Sequence, residues 1–216
     1  MKKNIRNIIM SFIMTVFSGV YVYLAKTLDV KAIGPNNTSV GFSTINKAYA
    51  DMIGSNMTIY KLTEIFGLLV FIIVGVYGII GIYQLFKRKS LFKVDREIIG
   101  LGILYVLMIS VYLIFDKIAI NYRPIIIDGE LEPSFPSSHT MLAICTCVSS
   151  LMVYKKYVPN KYNYLVLFTT TLLLTLVFLG RAISGVHWIS DILGGVIISL
   201  TLLTYFYTII KWKKTE

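Results

Sequence analysis

The chain has 216 residues and a formal net charge of +10, and it is 56% hydrophobic but only 15% charged. A soluble domain carries about 25% charged residues, so this composition excludes both a soluble globular domain and a disordered chain. The length accommodates one domain, 1–216, and leaves no room for a second of useful size.

A membrane-crossing helix needs about 20 mostly apolar residues. Six segments approach or meet that length, at about 8–25, 65–86, 98–115, 138–154, 162–179 and 188–210. They predict an all-α, polytopic six-transmembrane helical bundle. The first follows a basic front, MKKNIR, in the manner of a secretory leader. It lacks a small-x-small cleavage site in the right place, which predicts an uncleaved helix.

The segment 27–64 is long and polar, and GPNN marks a turn within it. Phe42, Ile45, Tyr49, Met52 and Ile53 then recur at helical spacing. They predict a short amphipathic helix at the membrane interface, serving either as a lid for a lipid head or as a plain cover between spans. In the second span Gly75, Gly78 and Gly81 recur three apart and predict a close helix contact. Asp95, Arg96 and Glu97 read as an ordinary solvated helix start.

The next loop, FDKIAINYRPIIIDGELEPSFPSSHT, carries Lys117, Arg123 and His139. Pro136 and Ser137 stand where a helix begins. The serine is placed to cap the fourth span, whose backbone N–H groups would face an anion. Cys145 and Cys147 lie in an apolar run and read as small buried hydrophobes. The short loop GRAISGVHWISD places Arg181, His187 and Asp191 between the last two spans. His187 and Asp191, four apart, would share a helix face, and Trp188 would anchor at the interface.

The charges predict an orientation. Alternate loops and the two ends hold Lys2, Lys3, Arg6, Lys87, Arg88, Lys89, Lys93, Arg96, Lys155, Lys156, Lys161, Lys211, Lys213 and Lys214. That makes 14 of the 21 bases, against three acids, Asp95, Glu97 and Glu216. The other loops hold seven bases and eight acids. The positive-inside rule then places both termini in the cytoplasm. Juxtamembrane bases that favour anionic lipid heads account for the net charge, and no nucleic-acid module is recognisable.

Both histidines of the chain fall on the outer loops, each at the start of a helix, together with Arg123 and Arg181. Bases and free N–H groups suit the oxygens of a phosphoryl group. One histidine oriented by a carboxylate can attack phosphorus, and the other can protonate the leaving oxygen.

These residues resemble the type 2 phosphatidic acid phosphatase family, the lipid phosphate phosphatases. Its signature is Lys-x6-Arg-Pro, then Pro-Ser-Gly-His, then Ser-Arg-x5-His-x3-Asp. Here the three parts read KIAINYRP (117–124), PSSH (136–139) and GRAISGVHWISD (180–191). The resemblance implies a six-span fold with an outward site and metal-independent hydrolysis of phosphate monoesters or diphosphates through a phosphohistidine. It implies His187 as nucleophile, Asp191 as its orienting partner and His139 as general acid. Lys117, Arg123 and Arg181 would clamp phosphate, and Ser138 would offer its backbone N–H. No cofactor and no metal are implied. Three positions depart from the signature. Asp116 stands at the usual lysine position, since Lys117 precedes Arg123 by five residues instead of six. Ser138 replaces glycine, and Gly180 replaces serine.

The expected function is a multi-pass cell-membrane lipid phosphatase acting on undecaprenyl diphosphate, phosphatidylglycerophosphate or phosphatidic acid. The alternatives are a lipid phosphotransferase and a non-catalytic lipid-binding or transport protein of phosphatase ancestry. The expected partners are the lipid phosphate substrate and membrane lipids, without nucleic acid. The oligomeric state is left open.

Overall fold

The computed structural model describes residues 2–212. Lys213, Lys214 and Glu216, counted above with the inner-side charges, lie outside the described residues, as do the side chains of Lys2 and Lys3. Helix α1 (Lys2–Thr27) is followed by a two-stranded antiparallel ribbon, β1 (Lys31–Ala32) and β2 (Ser39–Val40). The GPNN turn links the two strands. Then come α2 (Ser43–Ile53), α3 (Met57–Arg88), α4 (Arg96–Ile118), α5 (Ser138–Val153), α6 (Asn163–Ile183) and α7 (Ile189–Lys211). Apart from the ribbon, the described residues form an all-α bundle. Five helices, α1, α3, α4, α6 and α7, are long and apolar enough to cross a membrane.

The predicted fourth span, α5, has only 16 residues, and eleven of them are buried. It is enclosed by α3, α4, α6 and α7. At 1.5 Å per residue it is about 24 Å long, short of a hydrocarbon core of about 30 Å. The enclosure explains its composition. Lipid contact would favour Leu and Ile throughout, whereas α5 packs Thr140, Ala143, Cys145, Cys147, Ser149 and Ser150 against neighbouring helices. Both cysteines are free and buried, as expected.

Helix α7 is the other central element, in contact with α1, α4 and α5. Hydroxyls stitch α1 to it: Ser11 meets Thr208 at 3.3 Å, Thr15 meets Tyr205 at 2.8 Å and Ser18 meets Thr201 at 2.6 Å. Facing away from the protein are large apolar side chains such as Phe12, Phe71, Ile79 and Phe168, the surface a bilayer would cover.

Four expectations are corrected by the packing. The second span starts two turns early, at Met57, because Asn56 caps it: its Oδ1 accepts the Ile59 N–H at 3.0 Å. The expected outer segment 27–64 is thereby shortened, and Glu64 lies inside a helix. The glycine stripe is not a helix contact along its length. Gly75 and Gly78 face open space, and only Gly81 lies close to a neighbour, Ile98. Asp95 is no solvated helix start. It accepts from Arg88 at 2.8 Å, Gln84 at 3.0 Å and Tyr157 at 3.2 Å, and pairs with Lys156 at 3.3 Å. Trp188 is buried, with its indole N–H on the Tyr122 carbonyl at 2.7 Å, so it anchors a loop instead of an interface.

Helix α2 forms where expected, but its polar side faces the protein. Ser43 and Asn46 are buried, while Ile45 and Met52 are exposed. Asn46 accepts the Ser190 N–H at 3.1 Å and donates to the Ser190 hydroxyl at 2.9 Å and the Gly41 carbonyl at 2.7 Å. The loop before α3 thus straps the start of α7.

Candidate active site

Three chain segments meet at the end of the bundle that carries α2. The first is the loop after α4. Asp128 and Gly129, both at positive φ, make a tight turn between Ile127 and Glu130. The returning chain then pairs Arg123 N–H with the Glu132 carbonyl at 3.0 Å and Ser134 N–H with the Asn121 carbonyl at 2.8 Å. Arg123 is therefore held on a braced hairpin, not on a free loop.

The second segment is the start of α5. Ser137 is its N-cap residue, but its hydroxyl does not cap the helix as expected. It bonds the Thr140 hydroxyl at 2.9 Å, three residues along. Its own N–H is tied to the Asp191 carbonyl at 3.0 Å, which docks the start of α5 onto the start of α7.

The third segment runs from the end of α6 to the first turn of α7. Gly185 has φ +68°, and a Cβ there would collide with the Gly54 carbonyl oxygen. The close pass turns the chain so that His187 precedes the helix. Asp191 is the third helical residue, and its Oδ2 accepts the Trp188 N–H at 3.1 Å in a capping box. Its Oδ1 accepts from Asn121 Nδ2 at 3.0 Å. His187 Nδ1 lies 3.8 Å from Asp191 Oδ2, so the two are paired through the capping turn and not along a shared helix face as expected.

These segments surround a cavity of about 190 Å³ whose wall includes Arg123, Ser138, His187 and Asp116. Asp191 is fully buried behind His187. Arg181 is 0% exposed. Its guanidinium lies 4.8 Å from the Tyr60 ring centre, and that of Arg123 lies 5.7 Å from the same ring. His139 lines an adjoining groove of about 280 Å³, which shares Ser138 and Tyr112 with the cavity and is otherwise walled by Phe71, Val74, Met108 and Leu142. Lys117 is exposed and stays off the cavity wall. One residue along a helix turns the side chain by about 100°, and here that step brings Asp116 to the wall in place of Lys117.

The donors on the cavity wall, and those of the buried Arg181, are short of acceptors. Arg123 Nε and Nη1, Arg181 Nε and Nη1, and both ring nitrogens of His187 are buried without a hydrogen-bond partner. Arg123 Nε does sit 2.8 Å from Glu132 Oε2, but out of hydrogen-bond alignment. Each such group costs about 1–3 kcal/mol when buried unpaired. An oxyanion in the cavity would offset that cost. Burial pushes the His187 pKa down to about 4, against the pull of Asp191 and with help from the charges of Arg123 and Arg181. His187 is therefore neutral at physiological pH, the form in which an imidazole is a nucleophile.

Four residues of this cluster carry no motif that singles them out in the sequence: Tyr60, Glu64, Asn121 and Asn46. Glu64 pairs with Arg181 through Oε1 and lies 3.3 Å from His139 Nε2 through Oε2. An acid at the mouth of an apolar span is the available signal for it. The Gly180 departure also has a steric reason, since a side chain there would strike Thr63.

The fold and the site together define a polytopic helical membrane protein with a histidine–carboxylate pair beside a cavity that Arg123 lines. Residues 111–215, just under half of the chain, match the PAP2 superfamily. The chain is 30% identical over 93 residues to phosphatidylglycerophosphatase B of Bacillus subtilis (strain 168). That stretch covers 42% of this chain and 44% of the relative, so the match spans less than half of the relative's length. The fold is similar to the crystal structure of the transmembrane PAP2-type phosphatidylglycerolphosphate phosphatase from Bacillus subtilis. There the TM-score is 0.58 at 20% identity, over 92% of this chain and 93% of that one.

Proposed function

We propose that the protein is a membrane lipid phosphatase that transfers the phosphoryl group of a lipid phosphate or diphosphate to His187 and then to water. The observation that carries this reading is the neutral, buried His187 beside Asp191, on the wall of a cavity that Arg123 lines, with four buried nitrogens of Arg123 and Arg181 lacking hydrogen bonds. In the first step a His187 ring nitrogen bonds phosphorus, and the P–O bond breaks with its electron pair going to the leaving oxygen. His139 supplies that oxygen with a proton. In the second step water attacks, the P–N bond breaks, and His139 takes a proton from the water. Asp191, fixed by Asn121 and the Trp188 N–H, holds the imidazole and balances its charge. Arg123, Arg181 and the Ser138 N–H would hold the phosphoryl oxygens. The long Nδ1–Oδ2 distance would shorten once substrate binds.

The groove beside His139 has apolar walls from α3, α4 and α5, which suits a lipid chain. Phosphatidylglycerophosphate, phosphatidic acid and undecaprenyl diphosphate all join a phosphate to such a chain. In this reading α5 is a sixth, enclosed span. Lys and Arg content supports both termini inside and the cavity outside.

Phosphate release from a panel of these three lipids in detergent tests the proposal. His187→Ala should lose at least about 10⁴-fold in turnover while eluting as the folded protein. Acid-labile phosphoenzyme should form in the parent chain and not in the variant. Turnover by His187→Ala at the parental rate would sink the assignment.

A further inference from the structure

We propose that Glu64 is a positioning residue that fixes the tautomer of His139 and so prepares it as proton donor. The proposal rests on the phosphatase reading above and extends the site to α3, which precedes the matched segment 111–215. Tyr60, Thr63, Glu64 and Gly67 stand at i, i+3, i+4 and i+7, one face of a helix. Each of the four serves the site. Tyr60 lies under both guanidiniums. Thr63 fills the space at Gly180. Glu64 joins Arg181 to His139. Gly67 seats the His139 ring so closely that a Cβ there would come within 2.7 Å of Cδ2.

The chemistry follows from donors and acceptors. An ionised carboxylate only accepts. Facing Glu64 Oε2 at 3.3 Å, His139 must present Nε2–H. The proton free to leave is then the one on Nδ1 of the imidazolium, whose charge Glu64 balances. As the P–O bond breaks, the leaving oxygen takes the bonding pair and the Nδ1 proton. His139 remains a neutral imidazole, still donating Nε2–H to Glu64. In the second step water gives a proton back to Nδ1 as its oxygen bonds phosphorus and the P–N bond to His187 breaks. The chain thus holds two histidine–carboxylate pairs with different roles, Asp191 serving the attacking ring and Glu64 the protonating one.

Glutamine at this position would keep the shape but offer a single acceptor oxygen. Arg181, wholly buried with two other nitrogens unpartnered, would claim that oxygen. The amide N–H would then face His139 Nε2, which becomes an acceptor, and the imidazolium loses its counter-charge. The test compares two substrates with the full chain in detergent. One is a lipid phosphate with a poor leaving group, phosphatidic acid or whichever panel lipid turns over fastest. The other is p-nitrophenyl phosphate, whose leaving group departs without a proton. Glu64→Gln should lower kcat on the lipid by about tenfold or more and on the aryl phosphate by less than about threefold. Gly67→Ala leaves the carboxylate in place but displaces the ring, and it should show the same split. Equal losses on both substrates in both variants would overturn the proposal and leave the phosphatase reading standing. So would a gain on both substrates, which would mean that Glu64 only competes with phosphate. A parent chain that hydrolyses neither substrate would overturn both.

Discussion

Both ends of the bundle hold a knot of charged residues, and they differ in how far each is satisfied. At the end where α3 meets α4, Asp95 gathers Arg88, Gln84, Tyr157 and Lys156, and Lys156 also binds Glu97 at 2.7 Å. Burial works to raise the Asp95 pKa, yet these donors outweigh it and bring it down to about 2. At the end that carries α2, Arg123, Arg181 and His187 keep six buried nitrogens without hydrogen bonds. A polar cluster that only holds helices together has every reason to be complete. One that must take up an oxyanion has to leave donors over, at a cost of folding stability.

Substitutions at the two ends should therefore fail in different ways. The largest effect in the knot beside α2 after His187 is expected at His139. Its replacement by alanine should slow lipid phosphates by about 10²–10⁴-fold, the usual range for a lost general acid, and activated aryl phosphates much less. Equal losses on both would assign His139 to phosphate binding or to the fold. In the Asp95 knot, Asp95→Ala should lower stability by about 1–3 kcal/mol by leaving the buried Gln84 amide unpaired. Turnover per folded molecule should hold. A detergent melting curve alongside phosphate release separates the two quantities. A catalytic defect without a stability change would erase the contrast between the ends.

A third measurement sharpens the electrostatic side. The chain has two histidines, so the imidazole carbon resonance missing from His187→Ala identifies His187. With a folded pKa near 4, below the unfolded value of about 6.5, its neutral form is the one that folding favours. Its resonance should show no titration step between pH 5 and pH 8. Because the unfolded chain binds the extra proton first, this residue should cost stability as pH falls from about 6.5 toward 4. A step near pH 6.5 would mean that water reaches the ring. The smallest effect is expected at the rim. Asp116→Asn removes a negative charge from the cavity wall and should lower KM about two- to fivefold, because an exposed charge is largely screened. Lys117→Ala, off the wall, should change KM less than Asp116→Asn does. The opposite ranking would return the lysine to the phosphate.

The spans and the signature residues are legible in the sequence because each rests on local information. Apolar runs announce themselves, and His187 and Asp191 sit four apart in one short loop. Less legible is whatever depends on a partner far along the chain. Asn121 bonds Asp191 across 70 positions, and Asn46 bonds Ser190 across 144. Neither asparagine differs from a loop asparagine until the fold joins them. Asp95 and Trp188 mislead for the same reason. A charged helix start and an aromatic loop residue look solvent- or lipid-facing in isolation, whereas here Lys156 and the Tyr122 carbonyl cover them. Glu64 reads as part of a loop because its helix begins before its apolar run does. The glycine stripe shows the converse error, since only Gly81 of the repeat meets a neighbour and another close approach on α3 falls at Gly67, outside it.

Helix α5 has one further consequence. Its N-terminal turn carries Ser138 and His139, and protein, not lipid, surrounds most of its length. A helix in contact with acyl chains tilts or shifts when bilayer thickness changes. An enclosed one is positioned by the side chains interlocked around it, and its 16 residues have no bilayer to match. It acts as a fixed strut, setting the depth of the cavity from within the bundle. Thicker or thinner membranes would reorient the outer helices around it, while the distance from cavity to strut stays constant.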